Sequence, residues 1–129
     1  MKNVLLLGQN SIPVRDLDNR LSKAGCRVVT KCDDHAMLSL QEDGLPVDLV
    51  IVDHQAPADA DDASLLLYLR QVAPRVPVIV LSDSRSVETY LKALAYGALE
   101  YLNKPVNDDV LRTVLATVLG GGKSLQNVA

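Results

Sequence analysis

The sequence has 129 residues, 48% of them hydrophobic but only 3% aromatic, and a formal net charge of −3 at pH 7. This length predicts a single domain whose core is filled by aliphatic side chains. The acidic balance offers no general attraction to nucleic acid or anionic lipid, and no apolar run approaches the roughly 18 residues of a membrane span. We therefore expect a cytoplasmic protein with no membrane partner and no direct nucleic-acid partner.

Five short segments predict β-strands. Three are continuously apolar, as is typical of strands covered on both faces, and they comprise residues 4–7, 49–52 and 78–81. Weaker strands are predicted at residues 27–30 and 99–102. The continuous apolar runs favour a parallel sheet with helices on both sides.

Helical spacing of apolar residues fills the intervals between the first strands. The first helix opens near Pro13 and ends before Gly25. The second lies between Asp33 and Gly44, and the third spans about residues 64–72. Each of these helices is bounded by residues that favour helix ends.

Two further helices follow the fourth and fifth strands. The fourth spans about residues 87–96, and Gly97 stands where a left-handed cap is required. Its predicted inward face comprises Leu91, Leu94 and Ala95. The fifth helix follows Asn107 as its N-cap. Its predicted buried residues are Val110, Leu111, Val114 and Val118.

The alternation of strand and helix predicts an α/β fold, with one doubly wound, five-stranded parallel sheet in the order 2-1-3-4-5. In that order ligands bind beyond the carboxyl ends of the first and third strands. Residues 8–10 and 53–55 lie there. We expect the domain to comprise residues 1–119, and the glycine-rich residues 120–129 to form a tail or linker.

Polar residues follow three of the predicted strands. Asp53 follows the third, Ser82 the fourth, and Lys104 with Pro105 the fifth. Because parallel strands end at one edge of the sheet, a carboxylate, a hydroxyl and an ammonium group should meet there. Together they would surround a site of the size of a small anion.

This spacing resembles the receiver domains of two-component response regulators, and the resemblance covers residues 3–119. It implies a flavodoxin-like receiver fold in which Asp53 accepts a phosphoryl group from a histidine kinase or a small phosphodonor, and Ser82 and Lys104 bind the phosphate oxygens. Tyr101 matches an aromatic residue that rotates inward on activation. The resemblance also implies a cis bond between Lys104 and Pro105. An output domain or partner protein would bind the face formed by the fourth helix, fifth strand and fifth helix.

The acidic pair that holds a divalent cation in this family is missing. Counting back from the end of the first helix, Gly8 and Gln9 occupy those positions. The oxygen donors left as candidate metal ligands are Asp53, Gln55, Gln9 and Asp83. Mg²⁺ prefers carboxylates, so we expect it to be absent or weakly bound. We also expect Lys104 to pair with Asp53.

Two further departures affect the site. The family usually places a small residue where Asp83 stands, so this carboxylate either supplements the metal site or obstructs the phosphate, and we expect obstruction. The loop 57–62 carries Asp59, Asp61 and Asp62 in place of the family's usual turn. An acidic run of this kind is usually a solvated loop.

Enzymatic motifs are missing from the sequence. It has no zinc-ligand spacing, phosphate-binding glycine loop or nucleophile elbow. His35 is predicted to lie on the exposed side of a helix, and His54 to point away from Asp53 in an extended chain. Cys26 and Cys32 flank one strand, too far apart for a disulfide, and are predicted to be free and buried. The chain is therefore not expected to be an enzyme.

Three functions are compatible with these residues. The first is a signalling receiver with weakened or absent Mg²⁺-dependent phosphorylation of Asp53. The alternative is a pseudoreceiver, a phosphorylation-independent module for protein–protein interaction. A third, a flavin or nucleotide binder, would need a phosphate-binding loop at residues 8–12, which contain one glycine.

Overall fold

The computed structural model describes residues 2–8, 12–32, 35–54, 62–83 and 85–120. Five strands alternate with five helices along the chain. The strands are β1 (Lys2–Leu7), β2 (Cys26–Lys31), β3 (Leu49–His54), β4 (Val78–Ser82) and β5 (Glu100–Asn103). The helices are α1 (Ile12–Lys23), α2 (Ala36–Glu42), α3 (Asp62–Val72), α4 (Val87–Ala95) and α5 (Asp108–Leu119). None of the helices in these ranges has the length and hydrophobicity needed to cross a membrane.

The strands form one parallel sheet in the order β2-β1-β3-β4-β5, as predicted. β1 pairs with both β2 and β3, so the chain changes direction between β1 and β3. The crevice beyond the carboxyl ends of these two strands is where such sheets bind ligands. The predicted fold class is therefore confirmed.

Two apolar layers cover the sheet. Alternate strand residues point to opposite faces, which divides the core into two clusters. The cluster on the side of α2, α3 and α4 includes Leu5, Val50, Val80 and Tyr101. The cluster on the side of α1 and α5 includes Leu6, Ile51, Leu81 and Val106. All five residues of β4 are buried, as expected for a strand covered on both faces.

Capping residues define the end of α4 and the start of α5. Gly97 follows α4 with φ of +112°, the left-handed conformation that the sequence predicts. Asn107 caps α5 through its side-chain oxygen, which accepts a hydrogen bond from Val110 N at 2.8 Å. The position at which α5 begins, immediately after the loop that carries Lys104, is thereby defined.

The predicted inward face of α4 is only partly confirmed, because Leu94 is half-buried but Ala95 is exposed. Leu91 is 57% exposed, and the buried residue of α4 is Ala93. Val110 of α5, also predicted to be buried, is 40% exposed. Both faces of α4 carry apolar residues, so periodicity cannot show which of them covers the sheet. The small Ala93 side chain lies against the sheet, and the larger Leu91 faces outward.

The two cysteines differ in burial, contrary to the prediction that both are buried. Cys26 is buried in β2, whereas Cys32 is exposed. Burial raises the pKa of the Cys26 thiol, because desolvation disfavours the thiolate.

Alkylation should separate these thiols. We expect iodoacetamide to modify Cys32 first, and the reaction of Cys26 in the folded protein to require a higher pH than that of an exposed thiol. Because the pKa of Cys26 is raised in the folded state, its buried neutral thiol contributes to the free energy of unfolding at lower pH. That contribution is lost as the pH rises through the folded-state pKa. Peptide mass spectrometry across a pH series measures both rates, and equal rates at neutral pH would contradict this expectation.

Candidate functional site

The strand ends place four residues of interest at one edge of the sheet. Asp53 lies one residue before the end of β3 and in register with Leu81 of β4. Ser82 ends β4, Lys104 follows β5, and Gly8 follows β1. The three side chains predicted to form an anion site therefore lie on neighbouring strand ends.

Asp53 and Lys104 form an ion pair. Lys104 Nζ donates to Asp53 Oδ1 at 2.8 Å, and the two side chains are 18% and 4% exposed, respectively. The backbone N–H of Lys104 donates to the carbonyl oxygen of Ser82 at 2.8 Å, which ties the lysine to β4. The predicted Asp53–Lys104 pair is confirmed, and so is the predicted cis bond between Lys104 and Pro105.

Asp83 approaches the same ammonium group. Its Oδ2 lies 3.6 Å from Lys104 Nζ, and its side chain is 55% exposed. Lys104 thus faces a buried carboxylate on one side and a partly solvated one on the other. The second carboxylate stands at the open side of the pair, where an incoming anion would need the lysine.

Gly8 allows Asp53 to sit close beneath the end of β1. A Cβ atom added at Gly8 would lie 3.1 Å from both Asp53 Cβ and Val14 Cγ2, and 3.7 Å from Asp53 Oδ2. That oxygen is buried, and among the described residues no group forms a hydrogen bond with it. The space above Gly8 is therefore filled, and an acidic side chain there would require Asp53 or Val14 to move.

The described residues do not fit a divalent cation. Within those ranges no group of three or more His, Cys, Asp or Glu side chains could hold a metal ion. Asp53 and Asp83 both face the Lys104 ammonium group. Mg²⁺ requires near-octahedral oxygen coordination, which two carboxylates already facing a lysine do not supply. The other candidate ligands, Gln9 and Gln55, lie outside the described residues, as do the loop residues Asp59 and Asp61.

Ser82 and Tyr101 lie on the other face of the sheet from Asp53. Ser82 is in register with His54, and its residue is fully buried. Tyr101 is buried in the cluster on the side of α4, where its ring meets that of Tyr90 edge to face, with centroids 5.7 Å apart. Tyr101 thus occupies an inward position and connects β5 to the outer surface of α4.

A cleft of about 420 Å³ extends from the ion pair along α1. Its lining residues include Asp53, Asp83, Lys104, Asp16 and Arg20. Arg20 is a residue that the sequence gives no reason to select, because an arginine on an amphipathic helix usually lies on the solvated face. Its place in the cleft depends on how α1 packs beside the β5–α5 loop.

The five-stranded parallel sheet with Asp53 and Lys104 at its carboxyl edge agrees with the protein family that the sequence matches. Residues 4–116 match the family model of the response regulator receiver domain. The chain therefore belongs to the response regulator receiver family, and the resemblance seen in the sequence is confirmed.

Curated relatives and solved structures agree with this assignment. The response regulator protein PilR of Pseudomonas aeruginosa is 36% identical over 74 residues, which cover 57% of this chain and 16% of PilR. The transcriptional regulatory protein ZraR of Escherichia coli is 36% identical over 78 residues, covering 60% of this chain and 18% of ZraR. The matched region thus spans less than a fifth of these relatives. A response regulator receiver domain protein from Clostridium thermocellum has the same fold, with a TM-score of 0.80, 23% identity, and coverage of 97% of this chain and 99% of that one.

Proposed function

We propose that this receiver domain accepts a phosphoryl group on Asp53, slowly and with weakened dependence on Mg²⁺, and transmits its state through the surface of α4, β5 and α5. One observation carries the proposal. The ammonium group of Lys104 lies 2.8 Å from Asp53 Oδ1 at the carboxyl edge of the sheet. Such a pair provides both a nucleophilic carboxylate and a cation for the phosphate oxygens.

Phosphoryl transfer would form a bond between an Asp53 carboxylate oxygen and phosphorus, and break the bond from phosphorus to the donor, which leaves with its electron pair. In the described state Oδ1 binds Lys104, and Oδ2 is buried against Gly8. Asp53 must therefore turn, or Lys104 must move to the incoming phosphate, before the carboxylate can attack. This rearrangement supports slow phosphorylation.

The output surface is the α4-β5-α5 face. Its exposed apolar residues are Val87, Tyr90, Leu91, Leu99 and Val110. Tyr90 contacts the buried Tyr101, so a change around Ser82 and Tyr101 can alter the position of an exposed side chain on α4. We propose a histidine kinase or small phosphodonor as the source of phosphate, and an output domain or separate partner protein as the occupant of this face.

The pseudoreceiver is the second candidate, favoured by Gly8 and Asp83. Gly8 stands where the family has an acidic residue, and the space above it is filled. Asp83 already places an anion 3.6 Å from Lys104. A receiver that needs no phosphate would bind its partner through the same α4-β5-α5 face with Asp53 unmodified.

The remaining assignments are also proposals. We place the protein in the cytoplasm as a signalling module rather than an enzyme, without a direct nucleic-acid or membrane partner. Residues 1–119 would form the receiver domain and residues 120–129 a tail or linker, of which 121–129 lie outside the described residues. The relatives named as response or transcriptional regulators support an output domain elsewhere in a longer protein.

Incubation with acetyl phosphate tests the proposal. We expect intact-mass spectrometry to show slow addition of one phosphoryl group, little stimulated by Mg²⁺, and peptide mapping to place it on Asp53. Asp53→Asn keeps the side-chain shape, removes the nucleophile and should abolish the addition. Asp109→Asn, at an 87% exposed carboxylate, is the matched control. Equal labelling of Asp53→Asn would overturn Asp53 as the acceptor, and no labelling of any variant would favour the pseudoreceiver.

A further inference from the structure

Arg20 joins α1 to the loop that carries Lys104. Its Nε donates to Asp108 Oδ1 at 2.8 Å, and its Nη2 donates to the carbonyl oxygen of Val106. The arginine side chain is only 24% exposed. A single guanidinium group therefore binds both the β5–α5 loop and the first residue of α5.

The loop between Lys104 and α5 has three other features that bear on its position within the described part of the chain. At its start, the Lys104 N–H is bound to the carbonyl oxygen of Ser82 at 2.8 Å. Pro105 has no N–H to donate. Val106 buries its side chain in the cluster shared with α1 and α5. The contact from Arg20 to the Val106 carbonyl oxygen thus adds a polar attachment of the loop to α1 to this apolar packing.

This attachment bears on the position of the Lys104 ammonium group. Lys104 lies two residues before Val106, whose carbonyl oxygen accepts the hydrogen bond from Arg20. Lys104 and Val106 both line the cleft that contains Asp53. A lysine side chain has many rotamers, so a fixed backbone is needed to keep its ammonium group within 2.8 Å of one carboxylate oxygen. A shift of the loop by about 1 Å is enough to disrupt a reactive geometry.

We propose that Arg20 is a positioning residue that holds the β5–α5 loop so that Lys104 meets Asp53. Its importance for signalling rests on the proposed function, because Lys104 is the group that would bind the phosphate. A contact that displaces Arg20 on α1 would therefore also shift the Lys104 ammonium group relative to Asp53. Arg20 itself touches neither Asp53 nor the position of a reacting atom.

The ammonium resonance of Lys104 provides the test. In protein labelled with ¹⁵N-lysine, we expect one ammonium signal whose protons exchange slowly with water, because Lys104 is ion-paired and 18% exposed. Its loss in Lys104→Met assigns it. In Arg20→Gln we expect the Lys104 ammonium protons to exchange with water as fast as those of the exposed lysines, so the slow signal should disappear. Arg20→Lys should retain part of the protection, since an ammonium group can reach one of the two acceptors but lacks the guanidinium fork.

The control is Arg112→Gln, which removes an exposed arginine paired with Asp109 on α5 and should leave the signal unchanged. Circular dichroism confirms that each variant is folded. Unchanged Lys104 exchange in folded Arg20→Gln would overturn the proposal, and so would an equal effect in Arg112→Gln. If Arg20→Gln does not fold, Arg20→Lys is measured instead. The proposal is then overturned if the Lys104 ammonium protons exchange as slowly in Arg20→Lys as in the unmodified protein. Because no phosphodonor is used, this outcome is independent of whether Asp53 is phosphorylated.

Discussion

Replacement of Lys104 by Met is expected to lower the free energy of unfolding by about 3 kcal/mol at neutral pH. The substitution keeps a side chain of similar length but removes the cation that faces Asp53. The Asp53 side chain is 4% exposed, and its second oxygen is already without a partner among the described residues. An uncompensated buried carboxylate carries a large desolvation cost, so the loss should greatly exceed that at an exposed lysine.

A double-mutant cycle measures this contribution. We expect Asp53→Asn combined with Lys104→Met to recover most of the stability lost in Lys104→Met, because the double variant leaves no buried charge unpaired. Lys92→Met is the control, since Lys92 is 64% exposed, pairs with Glu88 on α4 and should contribute less than about 1 kcal/mol. Urea unfolding of the four proteins of the cycle and the control gives these values. Additive effects in the cycle would show that Asp53 and Lys104 do not interact in solution.

Replacement of Asp83 by Ala is expected to increase the rate of phosphorylation of Asp53 by about tenfold, which corresponds to about 1.4 kcal/mol in the activation free energy. Asp83 has its carboxylate 3.6 Å from Lys104, on the open side of the ion pair. An incoming phosphoryl group carries negative charge and needs the same ammonium group. Like charges about 4 Å apart repel by about 1 kcal/mol in water and about 4 kcal/mol near a protein surface, so repulsion from Asp83 is large enough for this effect.

Two further variants separate charge from size. Asp83→Asn keeps the bulk and removes the charge, so it should produce most of the increase if repulsion is the cause. An increase in Asp83→Ala alone would instead assign the effect to steric obstruction. Asp109→Ala controls for the loss of one acidic residue elsewhere on the surface. The time course of acetyl phosphate labelling by intact mass gives each rate, and a slower rate in Asp83→Ala would show that Asp83 assists the reaction.

The fold could be predicted because its signals are local and consistent. Continuous apolar runs identify β3 and β4, since only strands buried on both faces tolerate them. Gly97 and Asn107 identify a helix end and a helix start through their backbone and hydrogen-bonding chemistry. The orientation of α4 was not predictable in the same way, because apolar residues lie on both its inner face and the exposed face that contains Leu91.

The site was predictable where it depends on strand ends, and less so where it depends on side-chain packing. Asp53 lies near the end of β3 and Lys104 follows β5, and both strands pair with β4, so the topology brings the two residues to the same edge of the sheet. The approach of Asp83 to Lys104 depends on the path of one loop, so the sequence favoured obstruction over assistance but could not give the 3.6 Å contact. Arg20 was missed because its partners lie 86 and 88 residues away along the chain.

Nuclear magnetic resonance of backbone amides, recorded before and after treatment with acetyl phosphate, tests most directly whether this domain is a phosphate-operated receiver. We predict shifts at Asp53, Ser82 and Lys104 that are accompanied by shifts at Tyr101 and at the exposed α4-β5-α5 face, and their absence in Asp53→Asn. Unchanged spectra in the unmodified protein, or the same shifts in Asp53→Asn, would contradict a phosphorylation switch at Asp53.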